Sequence, residues 1–333
     1  MEQLSIIIVN YRTPQLVIDC IRSIDQQNAI SPYEIIVVDN DSKDGSETII
    51  PGEFPDVKFI QMGYNSGFAR ANNEGIRQSQ APVVLLLNSD TIEKDRAIYN
   101  CYQQFITSHY IACGVQLLNT DGSPQISGNF AMKGGLNYLL PLPFIGNFLK
   151  RLATVIKIKK PNIPNATDTV EVDWINGAYL MVKKNAIDTA GLLDEDFFLY
   201  AEEAEWCNRL KKAGELCIFG NCNVLHLQGE SSNETFASTG KGYYNLFDKK
   251  GLQIMLSNFV RIRKQFGVIW FLFDLVFYII TIPIFFIGII FDKCFGNDTY
   301  SVKQWKGYLK NVLLIIHYSG KIIKGEPYFY KVL

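Results

Sequence analysis

The chain has 333 residues, with 32 basic and 33 acidic side chains and a formal net charge of −1. This balance argues against a general nucleic-acid-binding protein, which normally carries a strong basic excess. Hydrophobic residues make up 48% of the chain, which is enough to build a core and argues against disorder. Seven cysteines are scattered without CxxC spacing, a pattern that favours neither a disulfide framework nor a zinc site. We therefore expect a folded cytosolic protein with reduced thiols.

The first third of the chain alternates strands with helices, and it begins with a strand-like run rather than a signal-peptide pattern. The predicted strands are Leu4–Asn10, Glu34–Asp39, Val57–Met62, Pro82–Asn88 and Ile111–Leu118, and the predicted helices are Pro14–Gln27, Ala69–Ser79 and Lys94–His109. Continuous apolar runs separated by helices are typical of a parallel sheet covered on both faces. The sequence thus predicts a doubly wound, mostly parallel α/β sheet, which binds ligands at the carboxyl ends of its strands.

The pattern changes in the second half. Between Asn119 and Asp168 the periodicity fails and Gly, Pro and Asn accumulate, which predicts a long irregular segment lying over the ligand site. Regular structure resumes over Val170–Lys183, and a helix is predicted to begin near Glu202. A polar helical stretch over Lys241–Gln265 then leads into a hydrophobic end. We predict an α/β domain over residues 1–240 and a helical module over residues 241–333.

Two acidic residues stand where predicted strands end. Asp39 closes one apolar run and Asp90 follows another. A carboxylate at that edge can hold Mg²⁺ or Mn²⁺ bridging the oxygens of a diphosphate, although Asp also caps turns commonly. The turn over Asn10–Pro14 contains no glycine, which excludes a dinucleotide-binding loop and a P-loop.

A second acidic cluster opens the helix predicted near Glu202. Glu205 and Arg209 are spaced i, i+4, which predicts a structural ion pair. Glu202 and Glu203 stand at the helix N-terminus, where the helix dipole stabilises carboxylates. The alternative is that one of the two is a general base for a hydroxyl group.

A lone histidine ends another strand-like run. His226 follows Asn223–Leu225 and precedes a Gly/Ser-rich turn. A lone histidine is often a structural residue, but one that leaves a strand into a turn can also be a ligand to a metal in a cleft. Both interpretations stay open from the residues alone.

Taken in chain order, several segments resemble glycosyltransferase family 2, especially its bacterial rhamnosyltransferase-like members. The segments that carry the resemblance are Ser5–Tyr11, Glu34–Asn40, Asp44–Ser46, Asn65–Gly75, Leu86–Asp90, Asp173–Ala178, Asp194–Tyr200 and His226. No segment is decisive alone, but the ordered set is specific. The resemblance implies a GT-A fold, a divalent cation (Mg or Mn) and an inverting glycosyltransferase that uses a nucleotide-diphosphate sugar donor, with dTDP-rhamnose favoured.

The resemblance also implies roles for single residues. Asp90 matches the metal-contacting acid of an Asp-x-Asp-type motif whose first position is Asn88 here, and His226 matches an additional metal ligand. Glu203 aligns with the catalytic base, usually Asp in the family, and Glu202 is the second candidate. The remaining candidates are Asn10, Tyr11, Asp39, Asn72 and Ser89 for the nucleotide, and Trp174, Asn176 and Gly177 for the acceptor. The irregular segment would also contact the acceptor, which is a glycan or a lipid-linked glycan of cell-surface polysaccharide synthesis.

The C-terminal module indicates a membrane surface. Gly267–Phe291 is almost entirely apolar and long enough for one transmembrane helix. It contains Asp274 and Pro283 and has basic residues on both flanks, which favours both ends on the cytoplasmic side. Tyr300–Lys324 follows the pattern of a basic amphipathic helix. We predict peripheral or re-entrant attachment to the cytoplasmic face of the inner membrane; the alternative is a soluble helical pair packed on the catalytic domain or on a homodimer partner.

Three other functions compete with this prediction. A sugar-1-phosphate nucleotidyltransferase needs a Gly-rich loop with a basic residue after the first strand, and a processive polysaccharide synthase needs several spans and a Gln-x-x-Arg-Trp segment. The sequence contains neither the Gly-rich loop nor the Gln-x-x-Arg-Trp segment. A non-catalytic glycan-binding scaffold could keep the fold, but it would not need the acids and the histidine described above.

Overall fold

The computed structural model describes residues 3–27, 32–130, 135–157, 162–227, 236, 238 and 245–327. The chain forms two compact units. The sheet unit comprises Met1–Met132, Pro161–Glu195 and Glu202–Ser232, and the helical unit comprises Lys133–Lys160, Asp196–Ala201 and Asn233–Leu333. The helical unit thus includes two stretches that precede the predicted boundary at residue 240.

The sheet unit is built on a nine-stranded sheet and a small three-stranded sheet. In the described part of the chain the twelve strands are β1 (Leu4–Asn10), β2 (Tyr33–Asp39), β3 (Lys58–Gln61), β4 (Val83–Asn88), β5 (Thr91–Glu93), β6 (Ala112–Leu118), β7 (Gly128–Asn129), β8 (Asn162–Ile163), β9 (Thr169–Val172), β10 (Trp174–Ile175), β11 (Tyr179–Lys183) and β12 (Leu216–His226). The large sheet runs in the order β3-β2-β1-β4-β11-β6-β12-β5, and β9 pairs with β12. The strands β7, β8 and β10 form the small sheet.

The first half of the large sheet is parallel, as predicted. β1 pairs in parallel with β2 and β4, and β2 pairs in parallel with β3. β11 is antiparallel to both β4 and β6, while β6 and β12 are parallel. The predicted fold class, a mostly parallel sheet with helices and a helical C-terminal region, is therefore confirmed.

Ten α-helices are named within the described residues. They are α1 (Pro14–Gln27), α2 (Ser46–Glu53), α3 (Phe68–Gln78), α4 (Ala97–Thr107), α5 (Ile145–Val155), α6 (Lys184–Ala190), α7 (Glu202–Leu210), α8 (Lys249–Phe266), α9 (Val268–Cys294) and α10 (Val302–Lys324). Helices cover both faces of the sheet because side chains of a strand alternate in direction. Ile6 and Ile8 of β1 pack in one cluster with residues of α1 and α4, and Ile7 packs in another with residues of α3 and α7.

Three local predictions differ from the structure. The sequence did not predict α2, because Pro51 and Gly52 lie inside it and are read as helix breakers. The segment predicted to be irregular contains β7, β8 and α5, so that part of the prediction is wrong; its contact with the acceptor stays a prediction. The helix predicted from Lys94 begins only at Ala97, after the short strand β5.

The helical unit packs α8, α9 and α10 around one apolar cluster. The Tyr308 hydroxyl donates a hydrogen bond to the carbonyl of Tyr278 at 2.9 Å, and the Trp305 indole donates to the carbonyl of Ile282 at 2.9 Å. α9 continues through Pro283 as a single helix of 27 residues. By length and composition it could cross a membrane. The predicted start of the preceding helix, at residues 241–244, lies outside the described residues.

The close approach of α3 to β1 gives a first testable prediction. A Cβ added at Gly75 would overlap the side chain of Ile7, so Gly75→Ala should destabilise the sheet unit by about 1–3 kcal/mol through overpacking. The measurement is the thermal midpoint of the purified protein. Gly52→Ala is the control, because nothing lies within 4 Å of its added Cβ, and its midpoint should not fall. Equal midpoints for both variants would contradict the packing argument.

Candidate functional site

The ends of β1 and β2 hold a buried polar network around Asp39. The two strands end in register, with Asn10 opposite Asp39. The Asn10 side-chain amide donates to Asp39 Oδ1 at 2.6 Å and to Ser46 Oγ at 2.9 Å. Ser42 donates its backbone N–H to Asp39 Oδ2 at 2.9 Å and its hydroxyl to Oδ1 at 2.5 Å. The carboxylate is fully buried and is held in one orientation. The sequence did not single out Ser42 and Ser46, since serines in a loop carry no distinctive signal.

A second set of hydrogen bonds ties the loop before α3 to the end of β2. Asn40 Oδ1 accepts from the Ser66 hydroxyl at 2.6 Å, and Asn40 Nδ2 donates to the carbonyl of Gly67 at 3.0 Å. Asn72 lies buried in the first turns of α3 and donates to the carbonyl of Phe68 at 3.0 Å. The first turns of α3 are therefore anchored beside the Asp39 network.

The other two candidates for the nucleotide lie at neighbouring strand ends. Tyr11 follows the end of β1, and the Arg12 guanidinium lies 5.2 Å from its ring centroid. Ser89 is buried directly after β4. Because β1 is flanked by β2 and β4 in the sheet, the candidates of these strands end at one edge of it.

The candidate metal ligands are brought together by the end of β12. His226 is paired with Thr91 of β5, and the N–H of Leu227 donates to the carbonyl of Asp90 at 2.9 Å. His226 Nε2 lies 3.4 Å from Asp90 Oδ1. Asp90 is 2% exposed and His226 is 7% exposed. The two residues, distant in the chain, thus form one buried pair. The turn predicted after residue 227 lies outside the described residues.

Gln125 sets the orientation of the imidazole. Its amide nitrogen donates to the carbonyl of His226 at 2.7 Å and to Asn119 Oδ1 at 2.8 Å. Its Oε1 therefore faces His226 Nδ1, at 2.9 Å, so that Nδ1 carries a proton and Nε2 faces Asp90. This donor set, one imidazole and one carboxylate with a fixed tautomer, fits a divalent cation.

The two glutamates open α7, as the sequence predicted. Glu203 Oε1 accepts a hydrogen bond from the Trp174 indole at 3.2 Å. A Cβ at Gly177 would lie 3.3 Å from Cβ and Cγ of Glu203, so the glycine allows the side chain to pack closely. Asn176 accepts from the N–H of Ala178 at 3.0 Å and holds the turn before β11. Two of the three candidates for acceptor binding, Trp174 and Gly177, therefore lie against Glu203, and Asn176 directly precedes Gly177.

The pairing of β4 with β11 brings the Asp90–His226 pair and Glu203 to the same edge of the sheet. β4 and β11 are antiparallel, so the end of one strand lies beside the start of the other. The N–H of Asn88 donates to the carbonyl of Ala178 at 3.0 Å. Asp90 is two residues beyond Asn88, and Gly177, which contacts Glu203, precedes Ala178. Asp90 and Glu203 therefore both lie at the edge where β4 ends.

Glu202 and Glu205 differ in their surroundings. Glu205 binds the Arg209 guanidinium with both oxygens, at 2.7 to 3.0 Å, which confirms the predicted ion pair. Glu202 is 4% exposed, and its Oε2 has no hydrogen-bond partner among the described residues. Burial, and then the charge of Glu203, raises the pKa of Glu202 well above its usual range.

The sequence profile described as Glycosyl transferase family 2 matches residues 5–159. Residues 5–159 are thus similar to a family 2 glycosyltransferase domain. This finding confirms the resemblance and the prediction of a glycosyltransferase, and the mixed sheet agrees with the GT-A fold that the family implies.

Relatives support the assignment. The low-salt glycan biosynthesis hexosyltransferase Agl10 of Haloferax volcanii is 29% identical over 237 residues, which cover 68% of this chain and 66% of that protein. The N-acetylglucosaminyl-diphospho-decaprenol L-rhamnosyltransferase of Mycobacterium tuberculosis is 25% identical over 62% of this chain and 70% of that protein. The matched part of this glycosyltransferase thus spans about two thirds of these relatives.

A solved structure is also similar. The crystal structure of Staphylococcus aureus TarS in complex with UDP has a TM-score of 0.49 and 14% sequence identity, and the match covers 78% of this chain and 65% of that chain. A likeness this low supports no statement about function.

The raised pKa of Glu202 gives a prediction about pH. An acid whose pKa is higher in the folded state stabilises the fold fully below its unfolded pKa of about 4.3, and that contribution is lost as pH rises toward the folded pKa. Glu202→Gln cannot ionise, so its stability relative to wild type should increase as pH rises above about 4.3. The measurement is the thermal midpoint of both proteins from acidic to alkaline pH. Parallel pH profiles would contradict the raised pKa.

Proposed function

We propose that this enzyme is an inverting, metal-dependent glycosyltransferase that moves a sugar from a nucleotide diphosphate to an acceptor hydroxyl in the synthesis of a cell-surface glycan. The observation that carries the proposal is the common edge of β4 and β11, which holds both Glu203 and the pair Asp90 and His226. A metal-binding pair and a base are the two groups that such a transfer requires.

The donor is a nucleoside diphosphate sugar held at the ends of β1, β2 and β4. The residues assigned to the nucleotide are Asn10, Tyr11, Asp39, Asn72 and Ser89. The orientation of Asp39 by Asn10 and Ser42 supports this assignment, because a fixed carboxylate can select a hydrogen-bonding edge of a base. dTDP-rhamnose is the favoured donor, since one relative is named an L-rhamnosyltransferase, while the name hexosyltransferase of another agrees with the wider class.

Asp90 and His226 would hold Mg²⁺ or Mn²⁺. When bound there, the cation would neutralise the negative charge that develops on the departing diphosphate. Gln125 fixes the tautomer of His226, so that Nε2 is available as a ligand without a change of hydrogen bonding.

Glu203 acts as the general base. Its carboxylate takes the proton of the acceptor hydroxyl while that oxygen attacks the sugar carbon on the face opposite the diphosphate, which inverts the configuration. The Trp174 indole orients the carboxylate through its hydrogen bond. Glu202 is the second candidate, because burial and the charge of Glu203 raise its pKa and so disfavour the carboxylate form that a base needs. Trp174, Asn176 and Gly177 form the acceptor side of the site.

We further propose that the helical unit attaches the enzyme to a membrane. α9 exposes large apolar side chains, among them Ile269, Val276 and Ile287, and α10 carries lysines along an amphipathic helix. A lipid-linked acceptor explains such attachment, and one relative is named for a diphospho-decaprenol substrate. The attachment is peripheral or re-entrant at the cytoplasmic face of the inner membrane, and a homodimer is compatible with it.

The base assignment predicts the behaviour of Glu203→Gln. The variant should lower the rate of transfer by a factor of about 10²–10⁴, while the thermal shift caused by the donor nucleotide is kept. The measurement is nucleotide release in the presence of acceptor. Glu205→Gln is the control on the same helix, since Glu205 pairs with Arg209, and its rate should stay within a few-fold of wild type. Near-normal turnover of Glu203→Gln would refute the assignment.

The metal assignment predicts a cation-dependent thermal shift. TDP, UDP and GDP should be screened with and without Mn²⁺, because stabilisation grows as RT ln(1 + [L]/Kd). One diphosphate, TDP by preference, should stabilise the wild type more strongly with Mn²⁺. Asp90→Asn and His226→Ala should lose the Mn²⁺-dependent part of the shift and keep the part without metal. A full Mn²⁺ response in both variants would refute the assigned ligands.

A further inference from the structure

Helix α5 of the helical unit has three distinct sides. At about 100° per residue, the partly buried Ile145 and Leu149, which pack on the apolar cluster of this unit, share one side. Phe148, Leu152 and Val155 fall on the adjoining side, within about 60° of one another, and Ile156 directly follows the helix. Asn147, Lys150 and Thr154 lie opposite them. The apolar side next to the core thus has no polar residue of α5 within it.

That apolar side is exposed within the helical unit. The exposed fractions are 66% for Phe148, 46% for Leu152, 77% for Val155 and 59% for Ile156. Four large apolar side chains exposed together on three helical turns are unusual for a surface that faces only water. We therefore expect another molecule to cover this apolar side of α5.

The charge of the surrounding sequence identifies the kind of occupant. Residues 122–167 contain six basic residues and no acidic residue, whereas the whole chain has a net charge of −1. Lys150, Arg151 and Lys157 belong to α5 or follow it directly and are exposed. An anionic lipid surface is complementary to this charge. A second copy of the chain would bring the same positive charge and would be repelled.

Packing contacts connect α5 with the apolar surface of α9 inside the helical unit. Phe144, directly before α5, packs 6.2 Å from the ring of Phe285. Gly288 of α9 leaves the space for this ring, because a Cβ there would meet Phe144. Ile287 and Ile290, beside Gly288 in the sequence, are about half exposed. The start of α5 is therefore fixed next to the exposed apolar part of α9.

We propose that α5 is an interfacial helix that lies on an anionic lipid bilayer and forms one lipid-contacting surface with α9. The proposal rests on the proposed membrane attachment and adds a second element to it, from a part of the sequence predicted to be irregular. Its apolar side enters the boundary between headgroups and acyl chains, while Arg151, which borders that side, contacts lipid phosphates, and Lys150 and Lys157 add to the positive potential of the segment.

The experiment uses the full chain with Cys294 replaced by serine, since the other cysteines are buried. Single cysteines are introduced at Val155 on the apolar side, at Thr154 on the polar side as a matched neighbour, and at Ile290 on α9. Each carries an environment-sensitive fluorophore. The protein is added to phosphatidylcholine vesicles with or without phosphatidylglycerol, and quenching by spin-labelled lipid is measured.

We expect quenching at position 155 to exceed that at position 154 by roughly twofold or more, and to increase with phosphatidylglycerol. Quenching at 290 alone would overturn the role of α5 and leave membrane attachment intact. No quenching at any position would overturn both. A change at position 155 that follows protein concentration and not lipid would indicate a second copy as the occupant and would also overturn the proposal.

A second pair of variants tests the same surface without labels. Phe148→Ser combined with Leu152→Ser should lower partitioning into anionic vesicles by roughly tenfold, since two large apolar side chains no longer enter the bilayer. Asn147→Ser combined with Thr154→Ser changes the opposite side and should leave partitioning unchanged. Equal partitioning of both double variants would refute the interfacial role of α5.

Discussion

The antiparallel pairing of β11 with β4 is the constraint on which the candidate site depends. In a wholly parallel sheet, the strand beside β4 would begin at the opposite edge, far from Asp90. Because β11 runs the other way, its first residues lie beside the last residues of β4, and the hydrogen bond from Asn88 to Ala178 fixes the register. Gly177 directly precedes Ala178, and Glu203 packs against Gly177 at this edge. A shift of one residue would reverse the direction of every side chain on β11.

Amide side chains orient the Asp39 carboxylate and the His226 imidazole at this edge. Asn10 holds Asp39, and Gln125 holds His226. Both amides are buried, so each hydrogen bond acts in a low dielectric and limits the rotamers of its partner. Glu202 lacks such a donor at Oε2 within the described part of the chain, and burial, followed by the charge of Glu203, raises its pKa. Two adjacent glutamates on one helix thus differ in their hydrogen bonding, since Glu203 accepts from the Trp174 indole.

The helical unit combines a well-packed interior with an apolar exterior. Aromatic rings, including those of Phe259, Phe271 and Tyr278, contact one another at 5.0 to 5.3 Å in its core. The exposed sides of α5 and α9 carry residues of the same apolar kind. The core of this unit is packed without the exposed sides of α5 and α9. Those apolar sides can therefore contact a nonpolar environment.

The sequence by itself determined the parallel half of the sheet, the family and the start of α7. These features depend on local patterns: apolar runs that end at Asp39 or Asp90, and a Glu-rich N-terminus before a buried helical stripe. Tertiary structure alone decided the reversed β11, the link between His226 and Gln125, and the different surroundings of Glu202 and Glu203. Hydrogen-bond partners distant in the chain leave no periodic signal in it, and a pKa depends on burial that only the folded chain creates. The same holds for α5, whose apolar side is recognised only once Ile145 and Leu149 are seen to be packed and Phe148 and Leu152 are not.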